Sequence, residues 1–271
     1  MSDAPVKTPP RILIVAGSDS SGGAGIQADI KTVTMLGGYA MTAITALTAQ
    51  NSVGVQGVEP VSADFVAAQI DSCLSDIGAD AVKIGMLGSP QVVEAVAGRL
   101  HGTGLPIVLD PVMVATSGAQ LAADETVAAM REHLFPIASL LTPNLPELAR
   151  LMNTELSDRE SIHTASGLLV GTTGCSVLTK GGHGEGERIE DLFVPVEGRW
   201  AEFDDPRIET QHTHGTGCTL SSAIATLLGH GVPMEHAVRL ARKFVRAAIR
   251  NAPGFGAGHG PLGHQAVRSL D

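Results

Sequence analysis

The chain has 271 residues, 44% of them hydrophobic, and its 28 acidic against 18 basic side chains give a formal net charge of -10. That balance excludes a general polyanion binder, whose affinity would need a positive surface, and leaves any phosphate binding to local devices. No run reaches the roughly 18 apolar residues of a membrane span, and the opening MSDAPVKTPP lacks the apolar centre of a signal peptide.

The three cysteines, Cys73, Cys175 and Cys218, share no close spacing, so neither a disulfide framework nor a metal knuckle is indicated. A cytoplasmic chain with reduced thiols is expected. Residues 1 to 10 are expected to be loose. ILIVA (12 to 16) then begins a series of short apolar runs: AVKIGM (81 to 86), PIVLD (106 to 110), SLLT (139 to 142) and SVLTK (176 to 180). Nothing polar alternates through them before their ends, as in strands buried on both faces. Helical periodicity fills the gaps over 25 to 37, 63 to 77, 90 to 100, 124 to 134, 144 to 152 and 158 to 173. Ser89 before Pro90 and Pro143 before Asn144 mark two helix entries. Cys73 and Cys175 fall where a small buried hydrophobe fits.

Two stretches break the alternation. Residues 40 to 61 are β-branched and alternating with no helix between their halves, and 191 to 210 read as a hairpin turning at Glu197 and Gly198; either is a sheet extension or a flap. A helix from about Leu220 to Gly229 follows, then the basic helix MEHAVRLARKFVRAAIRN; the glycine-rich GFGAGHGPLGH and the tail at 266 to 271 are expected to be loose. Strands alternating with helices predict an α/β fold, a mainly parallel sheet with helices on both faces, whose ligands gather at the carboxyl ends of the strands.

The stretch HTHGTGCTLSSAIATLL (212 to 228) is the most informative. Gly215, Thr216, Gly217 and Cys218 form the first turn of its helix, where unpaired N–H groups and the helix dipole make an anion site. A thiol there has its thiolate favoured by the same positive field. Cys218 could then take the proton of an alcohol attacking a phosphoryl group. Three strand ends add the rest: Asp110 closes one, Asn144 and Glu147 follow the next, and Thr179, Lys180 and Gly182 follow the third. An acid, an amide with an acid, and a cation suit magnesium and the phosphates of a nucleotide.

Other classes fit less well. Gly23, Gly25 and Ala28 spell a dinucleotide fingerprint, but the strand ends near Ala16, too early for the tight turn, and the acid expected about 20 residues on is missing. His212, His214 and Cys218 lack a fourth ligand for zinc. The stripe of Arg239, Arg242, Lys243, Arg246 and Arg250 reads as the solvated face of an amphipathic helix rather than a nucleic-acid surface.

AGSDSSGGAGIQADIKT, TAQNS, KIGML, VLDPVM, TPNLPE, TKGGH and HGTGCTLSSAIA, in this order, resemble the hydroxymethylpyrimidine and phosphomethylpyrimidine kinases of thiamin biosynthesis, a branch of the ribokinase-like superfamily. The resemblance covers about residues 11 to 265 and implies one kinase domain, with a central mainly parallel sheet and a small β flap. It implies phosphorylation of 4-amino-5-hydroxymethyl-2-methylpyrimidine and then of its monophosphate, using ATP and Mg2+, by a cytoplasmic homodimer that binds neither nucleic acid nor membrane. Carried over, the anion hole and catalytic position fall on Gly215, Thr216, Gly217 and Cys218. The pyrimidine falls against Gly17, Ala24, Asp29, Gln50, Met86 and Val112, and Gln50 can pair with the donor-beside-acceptor edge of an aminopyrimidine. ATP and its magnesium fall near Asp110, Asn144, Glu147, Thr179, Lys180, Gly182, Thr213 and His214. A pyridoxine or pyridoxal kinase is the nearest alternative. The family's closing Gly-Pro-x-His-His is altered here, where Leu262, Gly263 and His264 follow Pro261, which leaves the role of His264 open.

Overall fold

A computed structural model describes residues 8–113, 122–184 and 186–267 of the chain. The expected looseness of residues 1 to 7 and 268 to 271 lies outside the described residues. The strands are β1 (Arg11–Asp19), β2 (Tyr39–Gln50), β3 (Val55–Pro60), β4 (Ala81–Ile84), β5 (Ile107–Leu109), β6 (Leu140–Leu141), β7 (Ser176–Thr179), β8 (Arg188–Val194) and β9 (Ala201–Pro206). They form one sheet in the order β3-β2-β1-β4-β5-β6-β7-β8-β9. From β2 to β7 every pairing is parallel, while β3, β8 and β9 are antiparallel. Both atypical stretches are therefore sheet extensions, one on each edge.

The helices are α1 (Gly25–Met35), α2 (Ala63–Asp76), α3 (Pro90–Leu100), α4 (Asp124–Ala129, continued by a π turn over Met130–Leu134), α5 (Leu145–Met152), α6 (Arg159–Thr173), α7 (Thr216–Gly229) and α8 (Met234–Arg250). Leu13 and Val15 of β1 point to the face covered by α2 to α6, and Ile12, Ile14 and Ala16 point to the face covered by α1, α7 and α8. A strand with opposite faces in two apolar layers has to read as an unbroken apolar run, which is why ILIVA was legible. No helix of the described residues is long and apolar enough to cross a membrane.

Three expectations need correction. The first strand does not end near Ala16 but continues, after an irregularity, to Asp19. The glycine-rich stretch near the carboxyl end is not loose: a Cβ on Gly256 or Gly258 would collide with Ser52, so this loop packs closely on the β2–β3 turn, and Val267 is buried. Finally, Arg242 is not on a solvated face. It is buried, with Nε 2.6 Å from Asp191 and Nη1 2.9 Å from Asp205, because α8 turns that side toward the edge strands β8 and β9.

Candidate active site

The chain leaves β1 for β2 on one side and returns to β4 on the other, so the strand order reverses at β1 and opens a crevice at the carboxyl ends. A cavity of about 800 Å³ lies there, of the size that takes small ligands. It is lined by Gly17, Ala24, Gln50, Met86, Val112, Asp110, Asn144, Glu147, Lys180, Gly182, Thr213, His214, Gly215, Thr216, Gly217 and Cys218. The sequence expectation named all of these. It also named Asp29 and Thr179, which do not line the cavity. Asp29 is fully buried, its carboxylate bonded to Lys83 Nζ at 2.8 Å and Ser222 Oγ at 2.7 Å; Thr179 Oγ1 lies 2.7 Å from Ser166 Oγ.

The floor is the start of α7. Gly215 is left-handed at φ 84°, and a Cβ there would collide with the carbonyl of Gly23, so only glycine lets the turn sit against the β1–α1 loop. A Cβ on Gly217 would lie 3.2 Å from Asp110 Oδ2 and 3.4 Å from Lys180 Nζ, so the turn abuts the charged group at the ends of β5 and β7. There Lys180 Nζ bonds Asp110 Oδ1 at 2.6 Å, Thr142 Oγ1 donates to the same oxygen at 3.0 Å, and Glu147 Oε2 is 3.9 Å from the ammonium. Asn144 and Glu147 also form the capping box that starts α5. Burial pushes Glu147 up to about 7, Lys180 opposing it and Asp110 adding to it.

Cys218 is partly accessible from this floor, but its thiolate is not the resting form the helix start suggested. Burial pushes the thiol up to about 11; Lys83 opposes that, while Asp29 and Asp110 reinforce it. The helix dipole supplies only about half a unit charge, too little to offset desolvation in a pocket with two carboxylates nearby.

Several functional neighbours escaped the sequence reading. Lys83 reaches the cavity from the middle of β4 and is fully buried on Asp29. Although burial acts to lower its pKa, Asp29, Cys218 and Asp110 together raise it, so it is a fixed cation beneath Cys218. Asp19 accepts from the Ser21 N–H and hydroxyl, from the Gly23 and Ala24 N–H groups, and lies 2.8 Å from His214 Nε2. The apparent dinucleotide fingerprint thus wraps around the chain's own carboxylate. Asp191 accepts from the Gly181 N–H at 2.8 Å and from Arg242, and Arg207 reaches the carbonyls of Gly182, Gly184 and Gly186, so the loop after β7 is held from behind. Ile208, Val245 and Ile249 add apolar surface to the cavity lining. His264, left open by the sequence, is buried behind the floor, its Nε2 2.8 Å from Thr219 Oγ1.

An anion-binding helix start between a lysine–carboxylate cluster and a glycine-lined pocket, on a doubly wound sheet, defines a small-molecule kinase. The comparisons narrow this class. Residues 19–263 match a family model described as phosphomethylpyrimidine kinase, and the chain belongs to that family. It is 48% identical over 93% of its length to the thiamine biosynthesis bifunctional protein ThiED of Geobacter sulfurreducens, spanning about half (52%) of that longer protein. It is 44% identical to a hydroxymethylpyrimidine/phosphomethylpyrimidine kinase of Streptomyces coelicolor, covering 96% of each. A solved ADP complex of Bacillus subtilis pyridoxal kinase superposes with TM-score 0.88 at 34% identity, covering 96% of this chain and 98% of that one.

Proposed function

We propose that the protein transfers the terminal phosphoryl group of ATP to the hydroxymethyl oxygen of 4-amino-5-hydroxymethyl-2-methylpyrimidine, and then to the phosphate of the resulting monophosphate, on the route to thiamin diphosphate. The carrying observation is that the Gly215–Cys218 turn forms the floor where the Gln50 end and the Lys180 end of one cavity meet. The names of the relatives above support the choice of pyrimidine, and the ADP of the solved neighbour supports the choice of nucleotide. The reading includes a homodimer in the cytoplasm.

In this mechanism the ring lies among Gly17, Ala24, Met86 and Val112, with the Gln50 amide on its edge. Asp29 acts from behind the wall by holding Lys83. The phosphates lie over Gly182, Lys180, Thr213 and the N–H groups of the turn, and the nucleoside lies by Ile208 and Val245. Asp110 and Glu147 are buried hard oxygen donors around one ammonium, a set that suits Mg2+, and they would hold it. When bound, that ion neutralises phosphate charge.

The minority thiolate of Cys218 takes the hydroxyl proton. With the thiol near 11, forming it at neutral pH costs about 5 kcal/mol, and Lys83 keeps that cost from being higher. Turnover should therefore climb about tenfold per pH unit over roughly pH 7 to 9, and a flat profile would remove the thiolate from the step.

Phosphorylation of pyridoxal is a second reading, favoured by the superposition on a pyridoxal kinase. Purified protein with ATP and each of hydroxymethylpyrimidine, its monophosphate and pyridoxal separates the two by kcat/KM. The pyrimidines are expected to lead; a preference for pyridoxal overturns the first reading. Cys218→Ala should abolish turnover while the fold is kept, and near-normal turnover refutes the base.

A further inference from the structure

His214, expected beside the nucleotide, directly precedes the Gly215–Cys218 turn and points its ring at Asp19 and Gln50. Its Nε2 lies 2.8 Å from Asp19 Oδ2 and 3.1 Å from the amide nitrogen assigned to Gln50. Asp19 and Gln50 belong to the β1–β2 side of the site, while Gly217, three residues after His214, abuts Lys180.

Asp19 receives two N–H donors, Gly23 and Ala24, on Oδ2, and an N–H and a hydroxyl from Ser21 on Oδ1. A carboxylate so surrounded is ionised and offers only lone pairs, which holds its pKa below the usual range although burial alone would raise it. His214 Nε2 must therefore carry the proton, directed mainly at Oδ2 and shared, as a three-centre bond, with the Gln50 side chain 3.1 Å away. An N–H donor of Gln50 placed 3.1 Å from that same nitrogen would face a donor. The two ends of a glutamine amide are assigned by their partners, so the oxygen of Gln50 belongs against His214 and the NH2 group turns away. The backbone of Gln50 is pinned as well: its N–H donates to Ser20 Oγ at 2.9 Å and its carbonyl accepts from the same hydroxyl at 3.0 Å. Gly23 leaves room for the imidazole, since a Cβ there would collide with the ring.

We propose that Asp19 and His214 are specificity-determining positioning residues that lock the Gln50 amide in one orientation, so that the acceptor pocket takes a heterocycle edge with an amino donor beside a ring-nitrogen acceptor and rejects the inverted edge. The remaining lone pair of Gln50 Oε1 accepts from the amino group, and its NH2 donates to the ring nitrogen. A 4-oxo pyrimidine presents an acceptor beside an N–H and would need the amide turned over, which His214 prevents. A pocket with a fixed polar group left unpaired rejects such an analogue strongly.

This inference rests on the proposed pyrimidine kinase activity, and one assay separates the two. The wild-type chain is given ATP with 5-hydroxymethyl-2-methylpyrimidine bearing either a 4-amino or a 4-oxo group, and kcat/KM is compared. The amino compound is expected to be favoured by about 100-fold or more. Acceptance of both within about threefold overturns the lock while leaving the kinase reading intact, and turnover of neither overturns both. In His214→Phe, checked for folding by its thermal midpoint, the amino-to-oxo ratio should fall at least about tenfold while KM for ATP stays within about twofold. Asp19→Asn, which leaves His214 without its anion, should lower the ratio in the same direction. A ratio unchanged in both variants, or a loss confined to KM for ATP, overturns the assignment.

Discussion

Around Gln50 and His214 the cavity wall is made of Gly17, Ala24, Met86 and polar groups whose hydrogen bonds are all directed, whereas around Lys180 it is made of ions: Asp110, Glu147 and, behind the loop, Asp191 with Arg242. In the proposed reading the first wall reads the outline and edge of a ring and the second holds charge. Both meet at the first turn of α7, which serves each with the same backbone N–H groups. Such a partition predicts that damage to one wall leaves the constants of the other nearly untouched, and the largest effect tests this at the charged side. Lys180→Met strands two buried carboxylates without their cation. We expect kcat/KM for ATP to fall about 1,000-fold, with about 3 kcal/mol of stability lost in urea unfolding, while KM for the pyrimidine stays within about threefold. A comparable loss in pyrimidine KM would break the partition.

The shared floor offers a pH test of intermediate size. His264 holds Thr219, whose hydroxyl donates to the Gly215 carbonyl at 2.8 Å. Burial, with some help from Lys31, pushes His264 down to about 4. The unfolded chain, with an ordinary histidine near 6.5, therefore binds the proton first as pH falls. This contribution to stability is full above the unfolded value and is lost through the window down to the folded one, amounting to about 2 kcal/mol by pH 5. Urea midpoints at pH 7 and 5 for the wild type and His264→Gln check it. The difference between the two pH values should shrink in the variant, and equal declines would remove His264 as the cause.

How much of this was legible beforehand follows from where the partners sit. The Gly215–Cys218 turn could be read because its signal is local: glycines, then an apolar stripe at helical spacing. Asp110, Glu147 and Lys180 could be read because each ends or closely follows a buried run. Lys83 was missed because AVKIGM is apolar on both sides of it; a lysine within a doubly covered strand was itself the signal that a buried anion had to exist. The Asp191–Arg242 pair was missed because its partners are 51 residues apart on elements whose faces the sequence does not orient, and the Asp19–His214 pair because they are separated by 195. The resting thiol of Cys218 was misread for the opposite reason. The favourable helix start is visible in four residues, but the burial that outweighs it, and the Asp29 and Asp110 carboxylates that add to it, come from parts of the chain distant in sequence.

The smallest expected effect falls on the recognition wall and sharpens the comparison most. Gly23 has no left-handed backbone angle, so alanine there is free of backbone strain, and the three atoms nearest its Cβ all belong to the imidazole of His214. The Gly23 and Ala24 N–H groups remain free to hold Asp19. The ring, 2.4 Å from that Cβ, has to shift by about 0.6 Å or more to reach even 3.0 Å, which loosens its hold on the Gln50 amide without removing either hydrogen-bonding group. Gly23→Ala should therefore raise KM for the pyrimidine about fivefold to tenfold, leave KM for ATP unchanged within about twofold, and lower kcat little, because binding energy is lost equally in the ground and transition states. If kcat falls instead and KM does not, His214 acts on the reacting oxygen rather than on the ring edge, and the two walls are one machine.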